Sequence, residues 1–212
     1  MYAFTKRAFD ILASVAAIVV LFPLMLLVFI IIRIESTGGS IYYGKRTGLG
    51  GQPFNIYKYR TMSADAEQTG GPSTALNDPR LTRIGRWLRK YKIDELPQLF
   101  NILFGSMSFV GPRPQVELYT NAYDEEEQKI LTVKPGLTDY ASIHFIDMDE
   151  SLGTVDVDAK YAKDIEPTKN RLRLKYVQER SIWVDTQLLC MTFLALFGFR
   201  KKWNTESSPE NN

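Results

Sequence analysis

The sequence predicts a mixed α/β fold, mostly helical, with an N-terminal membrane helix broken at a proline, a small β-hairpin and interfacial amphipathic helices. Three observations predict it. Ile11 to Ile32 is an uncharged, almost wholly apolar run of 22 residues, enough to cross a hydrocarbon core of roughly 30 Å as a helix. Two short β-prone runs flank a glycine cluster. Beyond them, apolar residues recur at helical spacing. With 212 residues, one domain is expected, spanning residues 1–200. Its first 35 residues form the membrane helix and 36–200 the body, with 204–212 a disordered tail.

Composition narrows the chemistry. Lys and Arg number 26 against 24 Asp and Glu, a net charge of +2, so no nucleic-acid partner is indicated. The single cysteine, Cys190, cannot form an internal disulfide, and one cysteine with one histidine, His144, cannot supply a four-ligand zinc site. A Ser-His-Asp centre would have to use His144, and no nucleophile-elbow pattern accompanies it. The chemistry is therefore expected to run on carboxylates, basic side chains and an oxygen-liganded metal.

In the membrane run, Pro23 follows Phe22 near the middle. Proline removes a backbone donor and clashes with the preceding turn, which predicts a kink or break. Lys6 and Arg7 precede the run; Arg33, Lys45 and Arg46 follow it. Basic residues concentrate on cytoplasmic flanks. Two basic flanks fit a helix that enters and leaves by one face, and a kinked spanning anchor remains the alternative. The run is too long for a signal-peptide core and no small-residue cleavage site follows it. Asp10, at the head of the run, is expected either to pair with Lys6 or Arg7 on the same helical face or to sit in the headgroup layer.

Ser40 to Arg46 and Pro53 to Arg60, with Gly48, Gly50 and Gly51 between them, read as the hairpin. Ser63 to Pro79 reads as a surface loop. Ile84, Trp87, Leu88 and Tyr91 then form one apolar stripe, while Arg80, Arg83, Arg86, Arg89, Lys90 and Lys92 occupy the intervening positions. Such a helix suits an anionic membrane surface; a solvated basic face over a protein core is the plainer reading. Asp94-Glu95 follows directly, ahead of a second stripe of Leu96, Leu99, Phe100 and Leu103. Pro97 fits that helix's first turn, and negative charge is favoured at its N-terminus. Alone, such an acid pair is an ordinary helix start. Here six cations precede it, and Pro112-Arg113-Pro114 follows, a stiff mount for one guanidinium able to grip phosphate oxygens.

Gln115 to Leu131 reads as helical, Val133 to Gly136 as a turn, and Leu137 to Phe145 as extended. Asp147 to Asp158 is acidic but lacks a calcium-loop pattern, and is expected to be a solvated loop. Tyr161 to Phe199 reads as two helices joined near Ser181. Leu188 to Phe199 is apolar but too short to span, and Arg200-Lys201-Lys202-Trp203 is a membrane-edge signature.

Together these segments resemble the bacterial sugar transferase family, the monotopic polyprenyl-phosphate phosphoglycosyltransferases. The matching segments are Lys6-Arg7-x-x-Asp10, the proline-interrupted run, and Tyr57-Lys58-Tyr59-Arg60-Thr61-Met62. They continue with Asp94-Glu95-Leu96-Pro97-Gln98-Leu99-Phe100-Asn101, Met107 to Pro114, Val133 to Thr138, and Tyr176 to Asp185. The resemblance spans Tyr2 to Phe199, and its combined motifs are specific where no single one is.

It implies a re-entrant membrane helix that keeps the enzyme on the cytoplasmic face of the inner membrane. It implies transfer of a sugar-1-phosphate from a nucleotide diphosphosugar, UDP by expectation, to undecaprenyl phosphate, with UMP released. It also implies that Asp94 is the nucleophile and binds magnesium (Mg2+), with Glu95 beside it. Lys58, Arg60, Arg89 and Arg113, the last in its frame of Pro112 and Pro114, are the candidates for binding the anionic substrates. Membrane lipids are expected partners, and a homo-oligomer is left open. Phe22-Pro23 departs from the family's usual Ser-Pro break, and Asp139-Tyr140-Ala141-Ser142 departs from a common Gly-Trp-Ala-Gln. The chain resembles the minimal catalytic form. The rival readings are a glycosyltransferase that releases a nucleotide diphosphate and a non-catalytic membrane scaffold.

Overall fold

The computed structural model describes residues 1–63, 78–146 and 165–196. Helix α1 runs from Tyr2 to Glu35 with Pro23 inside it. The proline does not end the helix, a tolerance proline has where neighbouring groups satisfy the freed backbone. Hydroxyls from the body serve the second half of α1. Tyr59 donates to the Met25 carbonyl at 2.7 Å and Ser40 to the Phe29 carbonyl at 2.9 Å.

One face of α1 packs on the body along its length. Ala17, Ile18 and Leu21 meet a core of Ile56, Leu99, Ile102 and Met107. Met25, Val28 and Ile32 form a second core with Tyr59 and Leu88. The other face leaves Leu12, Val19, Val20, Leu27, Ile30 and Ile34 exposed. This helix is long and apolar enough to cross a membrane, and its apolar outer stripe is the surface a bilayer would cover.

The N-terminal end is fixed by polar contacts. Asp10 is buried, and it pairs with neither Lys6 nor Arg7. Its Oδ1 accepts from the Ser108 hydroxyl and the Phe109 backbone N–H, both at 3.1 Å. Lys6 pairs with Asp185 at 2.6 Å. Arg7 donates to the carbonyls of Ile102 and Leu103 at 2.6 and 2.7 Å, the end of a helix where carbonyls lack partners and a cation is favoured. Spacing within one helix suggested local pairs; the fold offered better partners across the chain.

Strands β1 (Ile41–Thr47) and β2 (Pro53–Tyr59) form the expected antiparallel hairpin, in register from Ile41 opposite Tyr59 to Thr47 opposite Pro53. Gly50 and Gly51 take the positive φ values, 65° and 77°, that the turn requires. Helix α2 (Arg83–Lys90) begins at Thr82, whose side chain accepts from the Gly85 N–H. Its apolar stripe divides. Leu88 is fully buried against α1, whereas Trp87 and Tyr91 are about half exposed and pack on each other at 5.1 Å.

Helix α3 (Gln98–Phe104) is followed by strand β3 (Ser108–Val110), which pairs in parallel with β4 (Gly136–Thr138). Gly111 and Gly136 touch backbone to backbone there. A Cβ on Gly136 would lie 2.1 Å from the Gly111 nitrogen. Only glycine permits this approach, and it fixes the departure of Pro112-Arg113-Pro114.

The segments after Gln115 differ from expectation. Only Glu117–Thr120 (α4) and a 3-10 run, Glu127–Thr132, are helical between Gln115 and Leu131; that acid-rich stretch has no continuous apolar stripe to bury. The expected extended segment gives way after β4 to α5 (Tyr140–His144), because the Asp139 side chain caps it, accepting from the Ser142 N–H at 2.6 Å. Helices α6 (Glu166–Glu179) and α7 (Ile182–Leu196) meet at Ser181 as expected. They close a third core with Val110, Tyr140 and Ile143. Most of the surface loop, the Asp147–Asp158 loop, the Arg200–Trp203 signature and the tail lie outside the described residues.

Candidate active site

Asp94 and Glu95 lie in a single 3-10 turn, Ile93–Glu95, that runs through helical Leu96 and Pro97 into α3. Lys92, the one described non-glycine residue with positive φ (56°), turns the chain from α2 into it. The acid pair therefore stands at the head of a helical run, as the sequence suggested, with Pro97 capping α3 rather than inside its first turn.

The two carboxylates have different surroundings. Glu95 is gripped by Arg113, whose Nη1 lies 3.0 Å from Oε2 while Nη2 pairs with Oε1. Lys58 Nζ sits 3.0 Å from the same Oε1. Burial alone would raise the Glu95 carboxyl, but Arg113 and Lys58 outweigh it and hold the group well below the usual carboxylate range. Asp94 is 5% exposed. Its Oδ2 lies 4.0 Å from Lys58, and Oδ1 is buried without a hydrogen-bond partner among the described residues. Burial pushes its pKa up; Lys58 opposes this, Glu95 reinforces it, and Arg89 and Lys92 oppose it further.

The cations are held by the fold. Arg113 is anchored by its backbone N–H, which donates to Asp139 Oδ2 at 3.1 Å. One aspartate thus caps α5 and fixes the arginine between its prolines, Pro112 and Pro114. Gly85 packs so tightly on Thr61 that a Cβ would lie 2.0 Å from the Thr61 carbonyl oxygen. That contact brings Arg89 Nε within 2.9 Å of the Thr61 hydroxyl.

Four of the expected groups, Asp94, Glu95, Lys58 and Arg113, are joined by direct contacts, and Arg89 adds its charge. Arg60 is elsewhere: its guanidinium donates to the Ser36 and Thr37 carbonyls and to the Ser36 hydroxyl at the end of α1. Alternation alone would put Lys58 and Arg60 on one face, but Arg60 follows the last residue of β2, and its backbone N–H donates to the Ser40 carbonyl, close to the end of α1. Arg113, expected to hold phosphate, clasps Glu95 in this structure. Sequence reasoning missed Asp139 and Lys92. Asp139 was legible as an N-cap residue three positions before Ser142; Lys92 carried no distinguishing signal among its basic neighbours.

Among the described residues no group of three or more His, Cys, Asp or Glu side chains could cage a metal. Magnesium does not need one: it is commonly held by one or two carboxylates plus substrate phosphates and water. The orphaned Asp94 Oδ1 fits that donor set, with the remaining ligands coming from a diphosphate.

Fold and site together define a membrane-associated protein with a buried acid pair set among lysines and arginines beside its apolar helix. The chain belongs to the bacterial sugar transferase family, whose model matches residues 1–199. It is 36% identical over 208 residues to the UDP-N-acetylgalactosamine-undecaprenyl-phosphate N-acetylgalactosaminephosphotransferase of Aeromonas hydrophila, covering 94% of this chain and 46% of that protein. It is 37% identical over 195 residues to the undecaprenyl-phosphate glucose phosphotransferase of Komagataeibacter xylinus, covering 88% and 35%. Against the UDP-glucose:undecaprenyl-phosphate glucose-1-phosphate transferase of Caulobacter vibrioides it is 35% identical over 197 residues, covering 90% and 69%. The chain thus spans less than half the length of the first two relatives.

Proposed function

We propose that this protein is a phosphoglycosyltransferase that moves a sugar-1-phosphate from a UDP-sugar to undecaprenyl phosphate and releases UMP. The observation that carries the proposal is Asp94: a buried carboxylate with one orphaned oxygen, flanked by Lys58, Arg89 and Lys92 and set on a helix that packs against the membrane helix. The names of the relatives supply the substrate class.

The chemistry divides into two displacements. Asp94 attacks the sugar-bearing phosphorus, and the phosphorus–oxygen bond to UMP breaks with the electron pair leaving on UMP. A phosphate oxygen of undecaprenyl phosphate then attacks the same phosphorus. The acyl–phosphate bond breaks, Asp94 returns as a carboxylate, and a lipid diphosphosugar departs. A carboxylate nucleophile of this kind has precedent in aspartyl-phosphate chemistry. Phosphoryl transfer depends mostly on positioning and charge neutralisation. Magnesium bound at Asp94 and the donor phosphates would supply part of that neutralisation. Glu95 keeps Arg113 and Lys58 in place beside the reacting carboxylate, and Arg89 adds a further positive charge.

Both ends of α1 rest on the same body and both of its flanks are basic. These features support a re-entrant helix in the inner membrane with the site on the cytoplasmic face. The test is to incubate purified protein and undecaprenyl phosphate with a panel of UDP-sugars, with and without EDTA. Magnesium-dependent UMP release is the expected result. UDP release would instead indicate a glycosyltransferase, and no release with any donor would indicate a scaffold.

A further inference from the structure

Gln98 lies one helical turn beyond Asp94 and is fully buried. Neither its Nε2 nor its Oε1 has a hydrogen-bond partner among the described residues. A buried primary amide with both ends unpaired is costly, and such exceptions call for an explanation. Ile93–Glu95 is a 3-10 turn whose i→i+3 bonding continues through Leu96 and Pro97 before α3 begins, so Gln98 follows Asp94 by little more than one tight turn, and positions 98 and 101 share a face of α3. Asn101 shows where that face points: it accepts from the Tyr57 N–H at 2.9 Å and donates to the Asn55 carbonyl at 2.8 Å, both in β2. At the other end, Asp94 meets Lys58 of the same strand. Gln98 stands in the chain between two residues that both meet β2, with its own side chain fully buried.

We propose that Gln98 is a positioning residue for Asp94, with its Nε2–H donating to Asp94 Oδ1 in the reactive state. The bond joins an orphaned acceptor to an orphaned donor. It also distinguishes the two carboxylate oxygens: one lone pair of Oδ1 accepts from Gln98 and leaves the other free for a magnesium ion, and Oδ2, on the Lys58 side, forms the bond to phosphorus. Apolar side chains of similar length would fill the space at position 98 equally well but could not orient the carboxylate.

This rests on the phospho-aspartate reading above, and the experiment separates the two. Gln98→Met, an unbranched replacement of similar volume, and Gln98→Glu, which sets a carboxylate against Oδ1, are compared with wild type and Asp94→Asn in bilayer nanodiscs. The readouts are UMP release, KM for the donor, half-saturating magnesium and the unfolding midpoint.

For Gln98→Met the expected result is a 10- to 100-fold lower kcat, the scale of loss for a misplaced reacting group. KM and half-saturating magnesium should stay within about twofold, and the unfolding midpoint should be unchanged or higher, as when an unpaired polar group is replaced by an apolar one. Gln98→Glu should lose more activity than Gln98→Met. Wild-type kcat in Gln98→Met overturns the proposal. So does a tenfold rise in half-saturating magnesium, which would make Gln98 a metal ligand, and so does failure of both variants to fold, which would make it structural. If Asp94→Asn keeps its turnover, the nucleophile reading itself fails; if only Gln98→Met does, the positioning role alone fails.

Discussion

Asp94→Asn should abolish turnover and yet stabilise the fold. In the wild-type protein a carboxylate is buried with Oδ1 unpartnered among the described residues and Glu95 next to it. Lys58 compensates only partly: it stands 4.0 Å from Asp94 and 3.0 Å from Glu95. The net effect of burial and neighbours raises the Asp94 pKa above its ordinary 3.8, so the charged form is the disfavoured one. Asparagine keeps the shape and removes the charge, and Lys58 keeps Glu95 as its partner. Burying a charged group costs more than burying a neutral polar one; asparagine relieves that excess while still leaving a buried amide, so a gain of about 1–2 kcal/mol is expected. For a chain of this size, that is a rise in Tm of roughly 2–8 °C.

The pH dependence fixes the sign. The folded protein holds the Asp94 proton to higher pH than the unfolded chain does, so Asp94 erodes stability as pH rises from 3.8 through the folded value. The advantage of Asp94→Asn should therefore be absent in acid, grow through that window and level off above it. Tryptophan-fluorescence melts in nanodiscs with EDTA across pH measure it. A variant less stable than wild type at neutral pH would refute the reasoning.

Further outcomes follow from other contacts. Asp10→Ala leaves the Ser108 hydroxyl and the Phe109 N–H without their acceptor and should cost about 2–4 kcal/mol, read as a lower midpoint in thermal melts. Gly136→Ala forces a Cβ onto the Gly111 backbone and should reduce folded yield, with Arg113 activity lost in whatever folds. Arg113→Lys cannot reproduce the two-pronged grip on Glu95, and kcat should fall at least tenfold by UMP release. Arg60→Met loses its bonds to Ser36 and Thr37 and should lower the melting midpoint while donor KM stays within about twofold, since that guanidinium serves the end of α1.

Much of this architecture was legible in the sequence because local patterns dictate it. The uncharged run reads as an apolar helix, although the break expected at Pro23 does not end it; the glycine cluster reads as a tight turn, and Asp94-Glu95 ahead of Leu96-Pro97 as a helix head. Contacts between distant segments were not legible. Nothing near Asp10 in the chain points to Ser108, and nothing near Arg113 points to Glu95, because long-range pairs depend on how helices and strands stack. Trp87 and Leu88 share a sequence stripe, but one faces outward and the other inward, since packing against α1 admits only part of it. Asp139 carried an N-cap signal that went unread because Leu137 to Phe145 reads as an extended segment, whereas α5 begins at Tyr140. Gln98 read as one letter of a motif; burial without partners made it stand out.

The most direct measurement is peptide mass spectrometry of the purified protein after mixing with UDP-sugar and magnesium in the absence of lipid acceptor, followed by rapid quenching. The account predicts a sugar-phosphate mass on Asp94 that disappears when undecaprenyl phosphate is added before the quench. The same mass on any other side chain, or UMP production with no modified protein at any time point, would contradict it.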